Sequence, residues 1–265
     1  MKILGIETST QMGSVALIDG TKLSAEYRLS LPLRHGEKLL PLIDALLKDT
    51  RMALSDLAAI AVSIGPGSYT GLRVGLATAK GLAMGTGLPL LPVSTLEALA
   101  TPFLFLKTMI VPMTISRKEE VFWGLLVPSE SGQAQGLPLR DDCRLVRLHA
   151  DSVSSLEEAL DKINQVWAGQ RGSSASLRNE ILFVGDGAFL YRDQILKYFQ
   201  GDRPSPLISS HGDPSPLASS VAALGLSQFM KGDVPLQEEV VPFYLSQFKP
   251  NVQKASLPLP CKEVE

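Results

Sequence analysis

The segment Ser63-Ile64-Gly65-Pro66-Gly67-Ser68-Tyr69-Thr70-Gly71-Leu72-Arg73-Val74-Gly75 constrains this chain more than any other. Ahead of it, Ile60, Val62 and Ile64 alternate within an apolar run that begins at Ala58, which reads as a buried strand. Gly65 and Gly67 bracket a proline and force a sharp turn. Ser68 or Thr70 can cap the helix that follows by accepting from a first-turn N–H. In that helix Gly71, Gly75, Ala79 and Ala83 fall four apart and form one smooth stripe, and Gly81 and Gly85 place small residues on a neighbouring face. A glycine inside a helix costs about 1 kcal/mol relative to alanine. Close approach of another backbone is the natural compensation, supplied by the chain's own sheet or by a second chain.

Strand, glycine turn and helix is also the order that binds phosphate in many folds, because helix N-terminal N–H groups attract anions. Neither standard fingerprint is met. A Walker loop ends in Gly-Lys-Ser/Thr, whereas Gly71 is followed by Leu72 and Arg73; the dinucleotide pattern needs a third glycine where Thr70 stands. A tight, well-capped turn is preferred to a nucleotide site.

The 265 residues suffice for one large domain or two small ones. A net charge of −2 without a lysine/arginine cluster argues against a surface that grips nucleic acid unaided. Cys143 and Cys261 lack paired spacing. Met1-Lys2 leads straight into a strand-like Ile3-Leu4-Gly5-Ile6, and no apolar run reaches the roughly 18–20 residues of a membrane span. A cytoplasmic protein with free thiols and no membrane partner is expected.

Along the chain, Ile3 to Ile6, Ser14 to Ile18 and the alternating Leu23, Ala25, Tyr27 and Leu29 predict a three-stranded antiparallel meander. Leu39, Leu42, Ile43, Leu46 and Leu47 give a helix over 37–49 one apolar face, with Pro41 in its first turn. After the strand at 58–64 and the glycine helix come a strand at 90–93 and a capping box, Ser94-Thr95-Leu96-Glu97. Strands at 109–115 and 121–127 flank a charged turn, and Leu145 to His149 alternates as another strand. Leu156 to Trp167 is amphipathic. A strand at 181–184 runs into Gly185-Asp186-Gly187-Ala188 and a helix reaching Phe199; a helix over 216–230 and a short strand over 240–245 close the pattern. Polar loops occupy 128–138 and 169–178, and a frayed tail begins at 249.

Gly65 to Arg73, then Ala77-Thr78-Ala79-Lys80-Gly81-Leu82-Ala83, resemble the signature of the TsaB (YeaZ) family. Ile6-Glu7-Thr8-Ser9-Thr10, His35 to Ile43 and Val93 to Leu99 match at the expected intervals, so the likeness covers roughly residues 1–127 closely. The resemblance, with the element order, implies an actin/hexokinase-like, ribonuclease-H-like α/β fold of two subdomains, each a mixed sheet flanked by helices. Helix–strand alternation alone also allows other α/β folds. The expected division is 1–106, then 107–248 with the helix at 216–230 packing back on the first part, then the tail 249–265.

The resemblance further implies a non-catalytic subunit of the machinery that makes threonylcarbamoyladenosine beside the anticodon of tRNAs reading codons that begin with A. Its partners would be the catalytic paralogue TsaD and the small ATPase TsaE. It would form a homodimer when alone and meet tRNA only within the complex. ATP and metal would be held by the partners, with no cofactor of its own. The expected interface comprises His35, Leu39, Leu42, Ile43 and Leu46 on the first helix and Gly71, Leu72, Gly75, Leu76, Ala79 and Ala83 on the second. Burial there contributes about 25 cal/mol per Å² of apolar surface. Arg73 points out of the second helix toward an acidic group or a ligand, and the interface is the favoured place for it.

In active actin-like enzymes the first hairpin carries an acid and a glycine-containing turn. Glu7 keeps the acid, but Ser9 stands where the glycine would admit phosphate. Glu7, Thr8 and Ser9 with Gly185, Asp186 and Gly187 therefore make a candidate degenerate nucleotide site. The catalytic relatives carry a His-x-x-x-His metal pair on a helix. Here His35, His149 and His211 are far apart, so no metal site and no catalytic residue is assigned. Ile115-Ser116-Arg117 replaces the family's Asp-Ala-Arg, losing the acid. The alternatives are an ATP-dependent phosphotransferase or hydrolase of the actin-like class and a metallopeptidase, which the missing histidine pair disfavours.

Overall fold

The structure is a computed structural model that describes residues 1–30, 35–106, 108–128, 145–170, 180–201, 204–209 and 215–245. Two five-stranded sheets repeat one plan. In the first, β1 (Lys2–Glu7), β2 (Met12–Asp19) and β3 (Lys22–Ser30) form an antiparallel meander. After α1 (His35–Asp49), β4 (Ala59–Gly65) joins β1 in parallel; after α2 (Tyr69–Thr86), β5 (Leu90–Ser94) joins β4. The order is β3-β2-β1-β4-β5. α3 (Thr95–Ala100) then leads to the second sheet.

There β6 (Met109–Arg117), β7 (Glu120–Pro128) and β8 (Leu145–Ser155) form the meander, and α4 (Leu156–Gln170) covers it. β9 (Glu180–Val184) adds in parallel to β6. After α5 (Asp186–Leu190) and α6 (Arg192–Tyr198), β10 (Ser205–Ile208) adds to β9, and α7 (Ala218–Met230) follows. Read from its meander edge, this order is β8-β7-β6-β9-β10, the first sheet again. A doubled unit of this kind is the actin/hexokinase-like, ribonuclease-H-like fold.

Four apolar clusters hold the layers. α1 and α2 cover the outer face of the first sheet through Leu39, Ile43, Leu46, Leu76 and Ala79 on Leu4, Ile6 and Val62. α4 and α6 cover the outer face of the second through Leu160, Ile163 and Ile195 on Val111 and Phe183. Between the sheets, α7 lays Val221, Ala222 and Leu226 on Ile3, Ala61 and Leu91, and α3 lays Leu96 and Leu99 on Ile110 and Leu126. Among the described residues no helix is long and apolar enough to cross a membrane.

Several local expectations need correction. α1 begins at His35, so Pro41 falls inside it, where its ring removes one backbone bond. The helix expected up to Phe199 breaks at Tyr191 into α5 and α6. β10 was not visible in the pattern. Val240 to Leu245 is not a strand: Phe243 donates to the Ile64 carbonyl at 2.7 Å, and Val240 joins the α1/α2 core. Cys143, His211, the tail from 249 and most of the loops at 128–138 and 169–178 lie outside the described residues.

Candidate functional site

The glycine turn between β4 and α2 is built around the hairpin turn between β1 and β2. Ser68 caps α2, its Oγ accepting from the Gly71 N–H at 3.2 Å, and its own N–H donates to the Ser9 carbonyl at 2.7 Å. Thr8 Oγ1 donates to the Gly71 carbonyl at 2.9 Å. A Cβ on Gly67 would stand 2.5 Å from the Ser9 carbonyl oxygen, and one on Gly71 would stand 2.1 Å from the Thr8 carbonyl oxygen. The glycines of the signature thus let α2 lie directly on the chain's own hairpin.

This corrects the expected interface. Gly71, Leu72, Gly75, Leu76, Ala79 and Ala83 are buried within the chain, as are Leu39, Ile43 and Leu46; Leu42 is half-buried. These residues hold the two helices on the first sheet and offer a partner little surface. The His35 side chain lies outside the described residues. Solvent instead meets Leu40, Pro41 and Asp44 of α1 and Thr70, Arg73, Ala77, Gly81 and Met84 of α2, one helical face over. Leu40 is 52% exposed and Met84 76%. Cβ atoms on Gly81 and Gly85 would meet nothing within 4 Å.

The two halves of the candidate nucleotide site converge. A cleft of about 700 Å³ is lined by Ser9, Thr10 and Gln11 on one side and Thr114, Ile115, Ser116 and Asp186 on the other. Asp186 Oδ1 accepts from the Ile115 N–H at 3.2 Å. Ile115 lines the wall at the position where the acid is missing, and Arg117 pairs with Glu120 at 3.5 Å. Gly185, with φ 106°, and Gly187 pack against Met113, so the Gly-Asp-Gly sequence is explained by a close strand-to-helix turn. Among the described lining residues Asp186 is the charged one, and it is an acid. They supply no side-chain cation to pair with a phosphate.

Glu7 and Thr8 do not reach the cleft; both are fully buried. Glu7 Oε1 accepts from the Ser9 N–H at 2.5 Å, while Oε2 has no protein partner among the described residues. Burial pushes the Glu7 carboxyl up to about 7, although polar groups of Ser9, Ser63 and Thr8 pull it back. Among the described residues no three His, Cys, Asp or Glu side chains gather as metal ligands would. His149 stacks on Trp123 with ring centroids 4.7 Å apart.

Two arrangements escaped the sequence reading. Arg147 on β8 pairs with Asp151 and with Glu97 of α3, while Ser94 donates to Asp151 at 3.3 Å. Arg73 lies 3.9 Å over the Tyr69 ring, and its Nε donates to the Tyr244 hydroxyl at 2.9 Å.

Comparison with known proteins follows the same lines. Residues 32–223 match the family described as "TsaD: tRNA N6-adenosine threonylcarbamoyltransferase". The chain is 39% identical over 125 residues to the tRNA threonylcarbamoyladenosine biosynthesis protein TsaB of Bacillus subtilis, covering 47% of this chain and 55% of that one. It is 36% identical over 134 residues to the Escherichia coli protein of the same name, covering 50% and 58%. The chain thus spans little more than half the length of these two curated relatives. To TsaB of Buchnera aphidicola it is 29% identical over 203 residues, covering 75% and 85%. The solved structure of YeaZ from Pseudomonas aeruginosa shares the fold, with a TM-score of 0.67 and 24% identity over 92% of this chain and 99% of that one.

Proposed function

We propose that this chain, which belongs to the TsaD family and within it to the TsaB group, is the organising subunit of the apparatus that forms threonylcarbamoyladenosine in tRNA. It docks a catalytic TsaD-type paralogue on the outer face of α1 and α2. The threonylcarbamoyl group passes from its adenylate to the N6 of an adenosine beside the anticodon. In this reading the reacting atoms, the ATP and the metal stay with the partners, including a TsaE-type ATPase, and tRNA is met only in the complex.

The observation that carries the reading is the open space at Gly81 and Gly85. Each weakens α2 by about 1 kcal/mol, and neither is required by packing inside the chain. Both belong to a face that also exposes Ala77, Met84 and, on the neighbouring helix, Leu40. Small residues there let a partner helix approach closely, flanked by apolar anchors. An interface of standard size needs only about 800 Å² from each partner, which two helices can supply. Absent the paralogue, the same face pairs two copies of this chain.

The test is co-purification with the TsaD-type paralogue of the same genome, followed by modification of unmodified tRNA with and without this chain. A stable complex, with modification lost on omission and binding lost in Gly81→Leu, is the expected result. Absence of a complex together with ATP turnover by the isolated chain overturns it.

A further inference from the structure

We propose that Arg73 is the charged anchor of the partner face and receives a carboxylate from the docked paralogue. The inference rests on the reading of α1 and α2 as a docking face and adds what that face recognises.

Arg73 heads the exposed stripe that continues through Ala77 and Gly81. Its guanidinium is already held. It lies over the Tyr69 ring, and the Tyr244 ring, 5.1 Å from that of Tyr69, accepts its Nε–H through the hydroxyl. Tyr244 reaches this point because the chain's last described segment runs beside α2. Gln237 donates to the Leu88 carbonyl at 2.9 Å near the far end of the helix, and Phe243 bonds Ile64 beside its start. Gly65 permits that arrival, since a Cβ there would stand 2.5 Å from the Phe243 carbonyl oxygen.

With Nε engaged by Tyr244, recognition falls to the two terminal amino groups of the fork. Among the described residues no carboxylate pairs with Arg73, whereas Lys48 and Arg117 each have one and Arg147 has two. A guanidinium fixed by two tyrosines loses little freedom on binding and matches a carboxylate bidentately. Tyrosine and arginine are also the residues that most often dominate interface energetics. A nucleic-acid phosphate is the poorer fit, because the chain carries a net charge of −2 and its sequence shows no lysine/arginine cluster.

The experiment titrates the full-length chain with the TsaD-type paralogue of the same genome at about 0.05 M and about 0.3 M salt, a range over which exposed charges become screened. Arg73→Met is expected to weaken binding at least about tenfold at low salt and to flatten the salt dependence. Arg73→Lys keeps the charge but not the fork, and should recover only part of the loss. Tyr244→Phe keeps the ring and loses the acceptor; a loss of about threefold is expected. Wild-type affinity in Arg73→Met, while Gly81→Leu abolishes binding, overturns this inference and leaves the docking reading standing. Full recovery in Arg73→Lys overturns the bidentate carboxylate. Weakened tRNA binding to the complex with unchanged paralogue affinity assigns Arg73 to phosphate and overturns it as well. No binding by the wild-type chain at either salt overturns both readings.

Discussion

A Cβ atom on Gly75 would stand 2.1 Å from Oγ1 of Thr8, which is itself fully buried and bonded to the Gly71 carbonyl. The second glycine of the stripe is therefore a requirement of folding. Gly75→Ala should destabilise the chain by about 1–3 kcal/mol through overpacking, read as a lowered urea midpoint. Adding Thr8→Ala removes the clashing oxygen and should return part of that loss, because contacting residues couple. A Gly75→Ala variant as stable as wild type would remove the packing explanation.

Gly81 carries the opposite expectation. Its Cβ would enter open space on an exposed helix face, so Gly81→Ala should stabilise the isolated chain by about 0.5–1 kcal/mol. Thermal unfolding with and without the paralogue separates the two effects. The substitution should raise the midpoint of the free chain and weaken the complex. A variant that gains stability and binds the paralogue better than wild type would show that no close helix approach occurs there.

Glu7 makes stability depend on pH in a definite direction. Its carboxyl is raised to about 7 in the folded chain, from 4.5 when exposed, because burial disfavours the charged form. The folded state thus holds a proton that the unfolded state has released. The stabilisation is fully present below pH 4.5 and is lost as pH rises through about 7. Across that window unfolding free energy should fall by an amount on the order of 3 kcal/mol. Glu7→Gln, neutral throughout, should flatten the slope in urea titrations at pH 5.5–8. An unchanged slope would locate the dependence elsewhere.

Most of the order of elements along the chain was legible because period-2 and period-3.6 apolar patterns mark elements locally, and the meander, crossover helices and glycine turn each left one. The direction of α2 was not. Periodicity groups Gly71, Gly75, Ala79 and Ala83 on one face, but a stripe of small residues suits the chain's own sheet as well as another chain. What decides between them is Thr8, more than sixty residues earlier. Tyr244 lies 171 residues from Arg73, so no local pattern announces their bond. The run at 240–245 is apolar enough to read as a strand, but it forms no strand, and Val240 packs into the core that α1 and α2 share with the first sheet. β10 is four residues long with a proline, too short to carry a period and tolerated because it is an edge strand. The two lips of the cleft were legible as motifs; their shortage of cations was legible only once Thr114, Ile115 and Ser116 stood beside Asp186.

Arg147 is the point where the second sheet is tied to the helix that follows the first. Its two amino groups meet Asp151 on its own strand and Glu97 on α3, and the α3 cap Ser94 also bonds Asp151. The neighbouring carboxylates hold its guanidinium charged against the opposing effect of burial. Asp151 is almost wholly covered, its side chain 4% exposed, so removing Arg147 leaves a buried acid without its cation. Arg147 itself is only half-buried, so solvent screening limits the loss. Arg147→Met is expected to lower stability by about 1–2 kcal/mol, and Asp151→Asn in the same chain should recover part of it. Glu97→Gln alone, at the more exposed end, should change stability by less than about 1 kcal/mol. Denaturant unfolding of the wild type, Arg147→Met, Asp151→Asn and the double variant forms the cycle. Strictly additive effects of Arg147→Met and Asp151→Asn would mean that the pair contributes nothing as a pair.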